Sequence, residues 1–237
     1  MIALSDCLRA GRESTNPLPC QTNPSFSPLP PGKPVPRKKP ASTPTASCFG
    51  LLWDDGKVQP GDRIAEVLPR LEDHYPEVTF EHVATFTSGL NVTPGTLGVG
   101  EPLHELGQYL HYSSQSDILA EALTKLAGQS LSDLFLSRIG DPIGIDRDAF
   151  SWRYIAPDSR PPINGGSGFP ASGVHTNPWN LARFGWLFAN RGVWNGSRLL
   201  SERYLDHATT TRAPAVPMFD PDGWYRPLPG NYGFNWW

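Results

Sequence analysis

The sequence predicts an α/β (α+β) domain preceded by a proline-rich segment, and three observations carry that prediction. Apolar residues recur at helical spacing, with cap signals, over 115–128, 130–139 and 176–192. Runs of strand composition stand at 151–156 and at 231–237. Ten of residues 14–45 are proline, and the composition changes abruptly near residue 46. Hydrophobic residues make up 38% of the 237, aromatics 11% and charged residues 18%, which is enough apolar material for a core and too little charge for a wholly disordered chain. A formal net charge of -3 gives no basic footprint for nucleic acid. No apolar run approaches the roughly 20 residues of a membrane-spanning helix. The start, MIALSDCLRAGRESTN, meets Asp6 and Arg9 too soon for a signal peptide, so no location can be read from it. Cys7, Cys20 and Cys48 are odd in number and lack C-x-x-C spacing, which suggests unpaired thiols.

Taken in order, residues 1–45 form the proline-rich segment, expected to be extended or disordered because each proline fixes φ and removes a donor. Within it, PLPP and the basic PRKKP read as a linker or as a docking peptide for an aromatic groove. From Ser47, SCFGLLWDDGKV reads as a helix end with Gly56 as its left-handed residue. DRIAEVLPRL places Ile64, Val67 and Leu68 at helical spacing until Pro69. FEHVATFTSGL places Val83 and Phe86 on one helical face, and Ser88-Gly89 ends it. Residues 91–107 read as loop. SQSDILAEALTKLAG carries a stripe of Ile118, Leu119, Ala122, Leu123 and Leu126, closed by Gly128. Ser130 and Asp133 form a variant capping box for a helix burying Leu131, Leu134, Phe135 and Ile139. SWRYIA alternates at Trp152 and Tyr154 as a short strand would. TNPWNLARFGWLFANRG has Thr176 or Asn177 as cap, Pro178 in its first turn, and Leu181, Phe184, Leu187 and Phe188 toward the core. SERYLDHATT gives one more helix, and NYGFNWW suits a half-buried strand.

Five segments then fall in one order. DDGKVQPGDRIAEVLP, VATFTSGL, the block HYSSQSDILAEALTKLAGQSLSDLFLSRIGDPIGID, the block GGSGFPASGVHTNPWNLARFGWLFANRGVWNGSRLLS, and YGFNWW together cover about residues 47–237. In that order they resemble the serine β-lactamase and penicillin-binding-protein-like hydrolases, on the side of the class C β-lactamases, family esterases and aminohexanoate-oligomer hydrolases. The resemblance implies a β-lactamase/transpeptidase-like fold: an antiparallel sheet flanked by helices, with an all-helical insertion. Residues 46–90 and 200–237 would supply the α/β part, 91–199 the mostly helical part, and the cleft would lie between them. It implies acyl-enzyme hydrolysis of a β-lactam, peptide, amide or ester, no metal or organic cofactor, and a small-molecule or peptide substrate.

Carried over residue by residue, Tyr112 takes the position of the proton-transferring tyrosine of the family's Tyr-x-Asn. Ser114 stands where the asparagine is usual, with a shorter reach and one donor fewer. Phe86 stands where the family's LLTHTSGL has histidine. The nucleophile of Ser-x-x-Lys should lie about 17 residues before Gly56. Lys39 and Ser42 occupy the serine and lysine positions at that count. A small gap makes Ser42 a weak candidate, in Ser42-Thr43-Pro44-Thr45 with threonine for lysine. Ser47-Cys48-Phe49-Gly50 lacks a lysine too. The third motif would follow Trp237. The sequence therefore reads as an incomplete, truncated family member without an identifiable nucleophile, inactive as it stands. The other reading is a non-catalytic binding relative. Ser167 is not in a Gly-x-Ser-x-Gly setting, and the six histidines show no metal-binding spacing.

Overall fold

The computed structural model describes residues 43–166, 173–210, 216–219 and 233–234. Six α-helices are present among them: α1 (Thr43–Asp54), α2 (Phe80–Ala84), α3 (Gln115–Ala127), α4 (Leu131–Phe135), α5 (Pro178–Ala189) and α6 (Glu202–Thr209). Six short strands pair two by two, all antiparallel: β1 (Ser151–Trp152) with β4 (Val174–His175), β2 (Tyr154–Ala156) with β3 (Ile163–Asn164), and β5 (Val193–Trp194) with β6 (Ser197–Arg198). These pairs all fall within 151–198, so the part expected to be mostly helical carries the described strands as well.

Helix α1 begins ahead of the expected boundary at residue 46. Pro44 sits in its first turn, where the missing N–H removes no intrahelical bond and the fixed φ suits the helix. The helix ends on Gly56, whose φ of 73° permits the two reverse bonds Gly56 N–H to Trp53 O (3.0 Å) and Lys57 N–H to Leu52 O (2.9 Å). From Pro44 to Trp53 every residue of α1 is buried, and α1 packs on α3, α4 and α6. Phe49 stacks on Phe234 at 5.3 Å between ring centroids and meets Phe80 at 5.8 Å. One apolar cluster therefore runs from Ala46 through Ile118, Leu131 and Phe184 to Phe234, drawing on both expected parts of the domain.

Local readings hold where caps are strong. Ser130 accepts a hydrogen bond from the Asp133 amide, Asn177 from the Asn180 amide and Ser201 from the Tyr204 amide. Residues 64–71 differ from the helix expected there: two single 3₁₀ turns, Ile64–Glu66 and Pro69–Leu71, replace it, because Pro69 cannot donate the bond that would extend the first. Leu181 also differs. It is 47% exposed, because the buried face of α5 is Asn180, Phe184 and Leu187. Asn180 takes the inward position by clasping the chain at Asp146, accepting from its amide and donating to its carbonyl, each at 2.9 Å. The strand expected at 151–156 breaks at Arg153, which leaves Trp152 buried and Tyr154 exposed. Of NYGFNWW only Gly233 and Phe234 are described, and the rest of that expected strand lies outside the described residues. No helix among the described residues is long and apolar enough to cross a membrane.

Candidate functional site

Tyr112 stands in the loop that leads into α3. Two residues earlier, Leu110 bridges in parallel to Met218: its amide donates to Pro217 O at 3.0 Å and its carbonyl accepts from Phe219 N–H at 2.9 Å. The half-buried ring of Tyr112 lies against Phe86, 4.8 Å between centroids, in a small cluster with Leu110, Val216 and Met218. Phe86 O accepts the His111 amide at 2.8 Å. The segments VATFTSGL and HYSS, distant in sequence, are thus one wall. Phe86 holds this place with φ at 60°, a conformation that a bulky aromatic residue adopts only under constraint.

Ser114 is buried as the N-cap of α3, and its side chain makes no capping bond there; its carbonyl accepts from the Asp117 amide at 2.9 Å. The polar work at this helix entry is done by residues that the sequence reading passed over. Gln115 is wholly buried. It accepts from Ser88 Oγ at 2.5 Å and donates to His111 O at 2.7 Å. Asp117 is also wholly buried, and its carboxylate accepts from the Gly166 amide at 2.8 Å. A Cβ on Gly166 would stand 1.8 Å from Ser116 O, so the start of the glycine-rich loop lies directly on the first turn of α3. A polar pair just ahead of an apolar helical stripe was the available signal for Gln115 and Asp117.

Ser42 lies outside the described residues, as does Ser167. At Thr45, which takes the lysine position in the Ser42 reading, the side chain is buried and its hydroxyl has no hydrogen-bond partner among the described residues. Ser47 is buried and donates back to Thr43 O at 3.3 Å. No lysine lies on α1; the first after it, Lys57, reaches Leu126 O at the other end of the helix. Burial pushes the Cys48 thiol above its ordinary range, which favours the protonated thiol over the thiolate.

On the far side of Ser88 lies a cavity of about 460 Å³, lined by His74, Tyr75, Val78, His104 and Leu106 among others; Tyr112 does not line it. His104 and His111, 6.2 Å apart between ring centroids, both pack on Phe219, at 5.6 and 5.1 Å. Burial, and then the neighbouring His104, hold the His111 imidazole below its usual value. Among the described residues no group of three or more His, Cys, Asp or Glu side chains could hold a metal ion.

A family model described as Beta-lactamase matches residues 43–237. No curated protein sequence matches the chain. Among solved structures, the chain resembles a presumed β-lactamase of Bacteroides dorei at 15% identity, over 86% of this chain and 67% of that one, with a TM-score of 0.67. It resembles a family VIII carboxylesterase at 17% identity, over 74% and 61%, with a TM-score of 0.59. A D-stereospecific amidohydrolase of a Streptomyces species is 20% identical over 84% and 70%, with a TM-score of 0.59. At these identities the likeness is one of fold, and the chain spans 61% to 70% of the lengths of these three structures.

Proposed function

The chain belongs to the β-lactamase family, and on that premise we propose that it has the serine-hydrolase fold with its acyl-enzyme chemistry silent. The observation that supports this is the first turn of α1. Thr43, Pro44 and Thr45 stand where the family's helix follows or carries its lysine, and no amine is present there. A serine hydroxyl is a weak nucleophile at neutral pH and needs a base within hydrogen-bond reach. A threonine hydroxyl neither takes that proton nor carries a compensating charge. Losing one member of such a unit costs about 10⁴- to 10⁶-fold in rate. Tyr112 keeps the family's proton-transfer position, and Ser114 lacks the second donor of the asparagine.

A fluorescent penicillin and a fluorophosphonate, each followed by intact-mass measurement, test the reading. Neither is expected to leave an adduct. A covalent adduct on a serine would sink the proposal, and the modified residue would name the missing nucleophile.

The second reading, a non-catalytic binding relative, is favoured by the buried polar ties at the entry of α3. Ser88 with Gln115, and Asp117 with Gly166, brace the Tyr112 wall. Calorimetry with an acyl-D-alanyl-D-alanine peptide would then give reversible heat that Tyr112→Ala removes. Heat unchanged by that substitution would count against this site.

A further inference from the structure

The cavity of about 460 Å³ beyond Ser88 is separate from the Tyr112 wall, and its size suits a small molecule. Residues 74–78 and 102–106 form its two sides. Hydrogen bonds brace both. The Tyr75 hydroxyl donates to Gly100 O at 2.7 Å and accepts the Asn91 amide at 3.2 Å. The Leu103 amide donates to Gly89 O at 3.0 Å, and the Gly107 amide to Thr87 O at 2.8 Å. Gly89 permits this close approach: its φ is 73°, and a Cβ on it would stand 2.4 Å from His104 O. The cavity is therefore built into the fold.

Its walls are apolar where Tyr75, Val78 and Leu106 line it. At Ser88 the hydroxyl is already committed, donating to Gln115 and accepting the Leu90 amide at 3.2 Å. The rim has one sign. Segments 72–77 and 101–105 carry Glu72, Asp73, Glu77, Glu101 and Glu105, and no lysine or arginine. Glu72 is compensated by Arg63 at 3.3 Å, and Glu101 faces His74 at 3.2 Å. Arg63, whose guanidinium also reaches Pro76 O, is held by Glu66 as well. Glu77 and Glu105 both line the cavity and are exposed, and neither carboxylate pairs with a described residue. An apolar pocket with two uncompensated carboxylates at its rim repels anions and favours a cation that brings an apolar body of its own. A bare metal ion does not match it, since no group of three or more His, Cys, Asp or Glu among the described residues could hold one.

We propose that this cavity binds a small aralkylammonium ion, with its apolar body against Tyr75, Val78 and Leu106 and its ammonium at Glu77 and Glu105. The apolar walls supply contact without choosing between charges, so the rim sets the specificity. Each carboxylate that the ammonium approaches to about 4 Å in water favours it by about fivefold over a neutral head group. Salt screens that preference, which is therefore largest at low ionic strength.

Saturation-transfer NMR titrations of the full chain with phenylethylammonium, phenylethanol and phenylpropanoate test this. They offer one kind of apolar body with a positive, a neutral and a negative head. The cation is expected to bind with a Kd on the order of 1 mM, ordinary for so small a ligand. It should bind at least about fivefold more tightly than the alcohol at low salt, and the propanoate should not bind measurably. Methylammonium, which lacks the apolar body, should not bind either. Glu77→Gln with Glu105→Gln should bring the cation down to the affinity of the alcohol. Both side chains are exposed and unpaired among the described residues, so the fold should tolerate the change. Unaltered binding of the alcohol reports that it has. Leu106→Trp should fill the cavity and weaken cation and alcohol alike. Equal affinity for the cation and the alcohol would overturn the proposal, as would binding of the propanoate or of methylammonium. So would cation binding that survives either variant, or no binding by any of these ligands.

Discussion

Gly50 lies inside α1, where alanine would ordinarily add about 1 kcal/mol of helix stability. Here a Cβ would stand 2.5 Å from the ring of Tyr204, the largest fully buried side chain among the described residues, which lies flat on the helix backbone. Gly50→Ala is therefore expected to destabilise the chain by about 1–3 kcal/mol, the usual cost of overpacking, measured by urea unfolding. A gain in stability would mean that Tyr204 is not seated as described. The sequence pointed to Gly50 only as part of a rejected nucleophile motif, because the partner that makes it necessary lies more than 150 residues away. Phe86 is similar. Its departure from the family's histidine was legible, but its left-handed backbone was not. That conformation depends on the Tyr112 ring and the His111 amide, which only the fold brings to it. Tyr112 was singled out through the flanking resemblance; the sequence offers Gln115 and Asp117 only as a polar pair ahead of an apolar stripe, and what they anchor emerges once Ser88 and Gly166 are in place.

At the scale of elements, capping chemistry was the most legible signal, since a cap is read from residues three apart. Asn177 illustrates it. Its side chain accepts the Asn180 amide at 2.8 Å. Asn177→Ala should cost about 1 kcal/mol, measured as a lowered melting temperature; no change would show the helix start to be held by packing alone. Facing was less legible, because the periodicity of α5 admits a stripe through Leu181 as readily as one through Leu187. Asn180 decides between them by holding the loop at Asp146. Leu187→Ala is accordingly expected to cost about 2–5 kcal/mol, and Leu181→Ala less than about 0.5 kcal/mol. Equal losses would contradict the assigned face. The short strands were the least legible elements: two or three residues give alternation no length in which to declare itself, and the pairing of β1 with β4 depends on the chain returning past the glycine-rich loop.

At the scale of the whole molecule, the family was legible from five segments in order, while the continuous core joining α1 to both expected parts was not, because its contacts are long-range. The core also sets how the molecule answers to pH. His82 is held below its usual value by burial, which outweighs the opposing pull of Glu81, and His111 by burial together with His104. Both histidines therefore bind a proton more readily in the unfolded chain, where the pKa is about 6.5. Their contribution to stability is complete above that value and is lost as pH falls below it, until the depressed native values are passed. The carboxylates whose values are lowered, Asp55 by its bond to Arg138 and Asp141 by its bond to Arg147, act further down. They stabilise above about pH 4 and lose that contribution only below it. The interval from about pH 7 to about pH 5 is thus left to the histidines. The urea midpoint should fall across it, and His111→Gln should flatten part of that fall while leaving the decline below about pH 4 in place. A midpoint that stays level or rises from pH 7 to pH 5 would mean that neither imidazole is buried in its neutral form.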